Sequence, residues 1–247
     1  MRQVPQFKFL VIGNGRTARH ISYYLQSMGH LISSWHYRSQ SISELKLMSQ
    51  NVDRILLLIR DSQIESFLEV NPYLKTLSTI HFSGALHVDG ISNVHPLISF
   101  SLDLFPLTFY ETIPFAYFDP KISFVDIFPG ALNPNFYIPL ETKGLYHGLC
   151  VASGNLTVHL WQLVASQFQH NFSLDQKVLI PFLKSLNLNL ELNWKEALTG
   201  PIARRDEKTL ATNYYALQLT PLIEIFEAHV KVAWPEFAIK HFTKLNK

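Results

Sequence analysis

The string Gly13-Asn14-Gly15-Arg16-Thr17-Ala18 has the G-x-G-x-x-A spacing that holds a pyrophosphate against peptide N–H groups. The first glycine permits a tight turn, the second lets the backbone approach the phosphates, and the small third residue lets helix pack on strand. Unpaired amides and the helix dipole then favour an anion at the helix start. Arg16 falls in the first helical turn, where a cation opposes the dipole unless a phosphate lies beside it. Farther on, Arg38 and Ser39 stand where a ribose 2′-oxygen is read, and no Asp or Glu occurs before Glu44. An acidic residue there bonds the 2′-hydroxyl of NAD, whereas an arginine accommodates the 2′-phosphate of NADP. The residues therefore point to NADP. Over residues 1–43 the chain carries Arg2, Lys8, Arg16, Arg19 and Arg38 against no acid, although its formal net charge is only +2. The excess positive charge is local to the expected phosphate site.

A second group of residues has the types needed to move a proton and orient a substrate. His147 carries an imidazole, a side-chain type suited to giving or taking a proton near neutral pH. Asn155 follows eight residues later, about 12 Å along an α-helix and roughly 80° around it, so the two form no direct pair but can line one cleft. Arg204 and Asp206 follow Gly200-Pro201, and an arginine there can clamp a carboxylate or phosphate with two parallel hydrogen bonds. Structural roles compete with these: His147 bonded within the core, and Arg204 with Asp206 as an ion pair or helix cap. His95, just before Pro96, reads as a turn-stabilising residue. The eleven histidines show no H-x-x-x-H or acid–histidine spacing, so no metal is expected. Cys150 is the only cysteine, which excludes an intramolecular disulfide and suits a small buried hydrophobe better than a nucleophile.

These residues need elements to position them. Residues 7–12 are rich enough in β-branched and aromatic side chains for a buried strand, and 16–28 place Ala18, Ile21, Tyr24, Leu25 and Met28 at helical spacing before a stop at Gly29. A second strand over 31–37 ends at Arg38. A short helix over 41–50 opens with the capping box Ser41 to Glu44. The apolar run 54–59 predicts a strand of a parallel sheet, with Arg60, Asp61 and Ser62 at its carboxyl end and Asp61 or Ser62 able to cap the next helix. Another strand, 78–82, runs into Ser83-Gly84. Ligands of open α/β sheets bind outside the carboxyl ends of the strands, so Arg60, Asp61, Ser83 and Gly84 join the cofactor candidates, with His81 close by. Late strands are expected at 114–118 and 136–138. From Leu145 the spacing turns helical to about residue 169, with further helices at 174–186, 206–219, 221–233 and 235–245, two opening on proline. The reading is an α/β chain: a doubly wound, mostly parallel sheet over 1–142, followed by an all-α domain over 143–247.

Several strings go beyond a generic nucleotide fold: His81-Phe82-Ser83-Gly84-Ala85-Leu86, His95-Pro96-Leu97-Ile98-Ser99-Phe100, Tyr146-His147-Gly148, Ser153-Gly154-Asn155, and 198–206, which contains Gly200-Pro201 and Arg204-Arg205-Asp206. In these the chain resembles a Rossmann-like oxidoreductase family that joins an NADP-binding domain to a helical domain of unknown function. Its relatives include pyrroline-5-carboxylate reductase, ketopantoate reductase and 6-phosphogluconate dehydrogenase. The resemblance implies a helical domain that builds a homodimer and an active cleft between the domains. It supplies no substrate. Arg205 departs from the family, which carries a small residue there, often glycine, and 109–138 is short for a full set of elements. No lysine matches the catalytic lysine of the hydroxyacid dehydrogenase relatives.

The whole chain bounds the remaining possibilities. With 247 residues, 47% hydrophobic and 16% charged, it can bury a large core, and its 18 Phe and 10 Tyr call for large buried or interface surfaces. The sequence pI near 8.6 comes with no basic stripe or nucleic-acid motif, no run approaches the ~20 apolar residues of a membrane span, and no signal peptide is visible. The expectation is a cytoplasmic NADP-dependent oxidoreductase acting on a small keto acid, hydroxy acid or imine. The alternatives are an NADP-binding sensor without turnover and a protein whose aromatic-rich helices serve a partner.

Overall fold

A computed structural model describes residues 5–242. Arg2, one of the cations counted above, and the end of the helix expected to 245 lie outside the described residues. The chain forms two compact units, 1–152 and 153–247, so the division falls ten residues later than the expected boundary at 142.

The first unit alternates strand and helix: β1 (Lys8–Ile12), α1 (Arg16–Ser27), β2 (Leu31–Trp35), α2 (Ile42–Ser49), β3 (Arg54–Leu57), α3 (Asp61–Val70), β4 (Thr79–His81) and β5 (Ser92–Pro96). It continues through one-turn helix α4 (Leu107–Tyr110), β6 (Phe115–Tyr117), one-turn helix α5 (Phe124–Ile127), β7 (Asn135–Tyr137) and α6 (Lys143–Val151). The seven strands lie in the order β2-β1-β3-β4-β5-β6-β7. All pairs are parallel except β5 with β6, where His95 faces Ala116. Strand order reverses between β1 and β3, the switch point at which doubly wound sheets bind ligands.

Both faces of the sheet are covered, which is why its strands read as continuous apolar runs. Phe9 and Val11 of β1 point into one core with Ile21, Leu25 and Phe128, while Leu10 and Ile12 point into the other with Trp35, Leu45 and Ile64. Ser41 and Glu44 form the expected capping box of α2, and Ser123 with Asp126 makes a second one for α5. Asp61 and Ser62 do not cap α3, whose cap position is Arg60 with no side-chain bond.

The second unit is helical: α7 (Thr157–Phe172), α8 (Ile180–Leu192), α9 (Gly200–Arg204), α10 (Glu207–Leu217), α11 (Ile223–Ala233) and α12 (Pro235–Phe242). Leu210, Tyr214, Val230, Phe237 and Phe242 of the last three helices close a small core. Pro235 opens α12 as expected, but Pro221 precedes α11 by two residues. The expected helix from 145 is interrupted by a π-helical segment, Ala152–Leu156. Among the described residues no helix is long and apolar enough to cross a membrane.

Candidate active site

Gly13 ends β1 with φ +127°, and its N–H donates to Trp35 O at 3.1 Å. A Cβ on Gly13 would lie 2.3 Å from Leu58 O, so only glycine lets the turn pass this close to β3. Nothing lies within 4 Å of a Cβ placed on Gly15, the cap residue of α1, and no side chain caps that helix. The first amides of α1 are thus left for an anion. Beside them opens a cavity of about 600 Å³ at the β1/β3 switch point. Its walls bring together Gly13, Asn14, Gly15, Arg38 and Arg60, and among the described residues no carboxylate lines it.

The other cofactor candidates take different places. Ala18 is buried and packs α1 on the sheet, with Thr17 beside it. Arg16 reaches across to the loop after β5, its Nη1 donating to Phe100 O at 3.3 Å. Ser39 Oγ donates to His36 O at 3.2 Å, which shapes the turn that presents Arg38. Arg38 Nε donates to Tyr37 OH at 3.0 Å, with the guanidinium 5.6 Å from that ring.

Asp61, Ser83 and Gly84 belong to a second cluster at the carboxyl ends of β4 and β5. Ser83 Oγ donates to Asp61 Oδ2 at 2.5 Å and accepts from the amides of Ala85 and Leu86. That hydroxyl is fully used in fixing the loop. Asn93, buried in β5, donates to the carbonyls of His81 and Ser83 and accepts from Lys143 Nζ, which also donates to Leu86 O and lies 4.3 Å from the centre of the Phe118 ring. Lys143 therefore fastens the first turn of α6 to the sheet. One turn later His147 reaches the Gly84 loop and Tyr146 reaches His95. Tyr146 OH lies 2.9 Å from His95 Nδ1, and the two imidazole rings of His95 and His147 stand 5.9 Å apart, nearly perpendicular. A Cβ on Gly84 would come within 2.4 Å of His147 Cδ2 and 3.0 Å of His95 Nε2.

Burial sets the protonation of this cluster. It holds His95 down at about 4, aided by the charges of His147 and Lys143 and opposed by Asp61. It holds His81 at about 3 and lowers Lys143 to about 8, the latter partly offset by Asp61. Burial likewise raises Tyr146 above its ordinary range, with Cys150 adding to the effect. Among the described residues, no group of three His, Cys, Asp or Glu can hold a metal.

His147 thus stands at a crowded site, whereas His95 sits within β5 and holds Tyr146 rather than stabilising a turn. Lys143 and Asn93 were not singled out from sequence, and Tyr146 only as part of the string Tyr146-His147-Gly148. The signal was present in part: Lys143 and His147 are four apart on one helix face, and Asn93 and His95 are two apart on one strand face. In the second unit, Asp206 caps α10, accepting from Thr209 N at 3.1 Å and Thr209 Oγ1 at 2.7 Å. This is the capping geometry that the sequence offered as the alternative role of Asp206. Arg204 ends α9 and is exposed. Asn155 lies in the π-helical segment, so the regular-helix offset from His147 does not apply.

Comparisons with known proteins bear on the fold. Residues 128–231 match the family model described as a domain of unknown function, DUF2520. A candidate NADP oxidoreductase of Bacteroides fragilis superposes with TM-score 0.71 at 18% identity, covering 92% of this chain and 98% of that one. The chain has the fold of the Rossmann-type reductases. A Thermotoga maritima protein gives TM-score 0.66 at 20% identity over 94% of this chain and 98% of the other. The Plasmodium falciparum pyrroline carboxylate reductase, solved with NADP bound, gives 0.57 at 12% over 95% and 99%. No curated protein matches the sequence.

Proposed function

We propose that this protein is an NADP-dependent oxidoreductase that reduces a carbonyl or imine carbon of a small anionic substrate, or runs the reverse reaction. The observation that carries the reading is the switch-point cavity, with an uncapped α1, two guanidiniums and no carboxylate lining it among the described residues. Arg38 and Arg60 suit the 2′-phosphate, and the amides that follow Gly13 suit the pyrophosphate. The dinucleotide, when bound, supplies or accepts the hydride.

His147 is assigned the proton. Delivered from a ring nitrogen, it neutralises the negative charge that develops on the substrate oxygen or nitrogen as hydride reaches carbon, and in oxidation the same nitrogen takes it back. Lys143 does not replace it, since its ammonium is bonded to Leu86 O and Asn93 Oδ1. Arg204 is assigned the substrate's anionic group and Asn155 a hydrogen bond to the substrate, both from sequence. Proteins of similar fold, pyrroline carboxylate reductases and an Aspergillus terreus reductive aminase, support an imine or carbonyl substrate.

We also infer a homodimer formed through the helical unit. Neither α7 nor α8 has a buried residue, and Phe172, Phe182, Leu188 and Leu192 are all more than half exposed. Apolar side chains on this scale favour association. Sedimentation at micromolar concentration tests this, with a monomer counting against it. The function is tested by titrating NADPH and NADH in parallel and following nicotinamide fluorescence. Selective NADPH binding followed by NADPH oxidation with a cyclic imine or keto acid supports the enzyme; binding of neither dinucleotide removes it.

A further inference from the structure

His95 is held by its neighbours in a single usable form. Its Nδ1 faces Tyr146 OH at 2.9 Å, and Tyr146 also interacts with Cys150. A neutral imidazole nitrogen is a far better acceptor than a thiol sulfur, which favours the phenol donating to Nδ1 and the ring's one proton on Nε2. Nε2 has no hydrogen-bond partner among the described residues and faces the backbone of Gly84, 3.0 Å from where a Cβ would stand. His95 itself is partly exposed.

The charges around it are unsuited to a second anion. The ammonium of Lys143 is consumed internally, and the Asp61 carboxylate acts on His95 from the Ser83 side. What this spot offers a ligand is one neutral, oriented N–H. Gly84 follows β4, two strands along the same sheet edge from Gly13, where the phosphate-binding turn begins. The end of a dinucleotide remote from its 2′-phosphate carries an uncharged carbonyl oxygen, that of the nicotinamide carboxamide.

The geometry points to His95 as a hydrogen-bond donor, through Nε2–H, to that carboxamide oxygen, with Tyr146 as the positioning residue that fixes its tautomer. This assignment rests on the dinucleotide reading and adds to it a residue that recognises the ring rather than the phosphates. Such a contact holds the nicotinamide face and leaves His147 to the substrate.

Calorimetric titration with NADPH and with 2′-phospho-ADP-ribose, which keeps the phosphates and lacks the nicotinamide, separates the two readings. His95→Leu is expected to weaken NADPH about 5- to 10-fold, the range of one lost hydrogen bond, and to leave 2′-phospho-ADP-ribose unchanged. His95→Gln, which restores an N–H near the same place, is expected to recover most of the loss. Equal weakening of both ligands, or of neither, overturns the assignment while the dinucleotide reading survives. If the unaltered protein binds neither ligand, the dinucleotide reading itself fails. Nitrogen NMR of histidine-labelled protein is an independent check: Nε2–H is expected for His95, with a tautomer mixture in Tyr146→Phe, and an Nδ1–H form overturns the assignment alone.

Discussion

The ammonium of Lys143 in α6 donates to Oδ1 of Asn93 in β5, joining residues fifty positions apart in sequence. Because Asn93 also bonds the carbonyls of His81 and Ser83, this contact sets the register of α6 against the loop that carries Gly84. His147 reaches that loop, and Tyr146 reaches His95, because Lys143 is anchored one turn earlier. Lys143→Met should leave Asn93 Oδ1 and Leu86 O without their donor, at a cost of about 2 kcal/mol. Urea unfolding measures the loss, and displaced His147 resonances would show that the register depends on the lysine.

Gly84→Ala places a methyl where His147 Cδ2 would be 2.4 Å away. One ring must move, at about 1–3 kcal/mol for overpacking. The expected result is a folded protein of lower thermal midpoint that still binds 2′-phospho-ADP-ribose and has lost most of its reductase activity. Unchanged turnover would mean that the position of His147 is unimportant to the reaction.

Gly13→Ala combines a positive φ with a backbone oxygen 2.3 Å from the new methyl. Neither Leu58 O nor the turn has a flexible side chain to yield. Loss of several kcal/mol is expected from strain and clash together, with nucleotide affinity abolished even where folded protein is recovered.

Arg38→Ala should weaken NADPH by tenfold or more and leave NADH nearly unaffected, since only NADPH carries the 2′-phosphate. Equal losses would remove Arg38 from that role. Arg60→Ala is expected to act in the same direction, as its guanidinium borders the same cavity.

Acid should destabilise the first unit earlier than carboxylate titration alone would. His81 and His95 are held near 3 and 4 in the folded chain, below the ordinary 6.5 that they regain on unfolding. The unfolded chain therefore takes up protons first as pH falls. The stability due to these neutral rings is full above about 6.5 and is lost progressively toward pH 4. Urea midpoints at pH 7.5 and 5.0 should differ more for the unaltered protein than for His81→Phe; equal differences would mean that His81 is not held neutral.

Arg205 shows how a sequence departure acquires a reason. It adopts φ +55° just past the end of α9, the left-handed position that favours glycine after a helix, in line with the small residue expected from the family. Its guanidinium lies 4.9 Å from the Trp234 ring and donates to Ala233 O, contacts glycine cannot make.

The sequence by itself determined the β1–turn–α1 unit, the apolar strands, the capping box of α2 and the helical second half. Each depends on periodicity or on residues within a few positions of one another, where local backbone geometry decides the outcome. Tertiary structure alone decided that Arg60 borders the same cavity as Arg38, that Asp61 receives Ser83 instead of capping α3, and that α6 belongs to the first unit. It also assembled Lys143, Asn93, His95 and Tyr146 into one network. Apolar spacing tells which face of an element is buried, but not which polar side chain waits on the element it meets. That choice follows from strand order and register across the whole sheet.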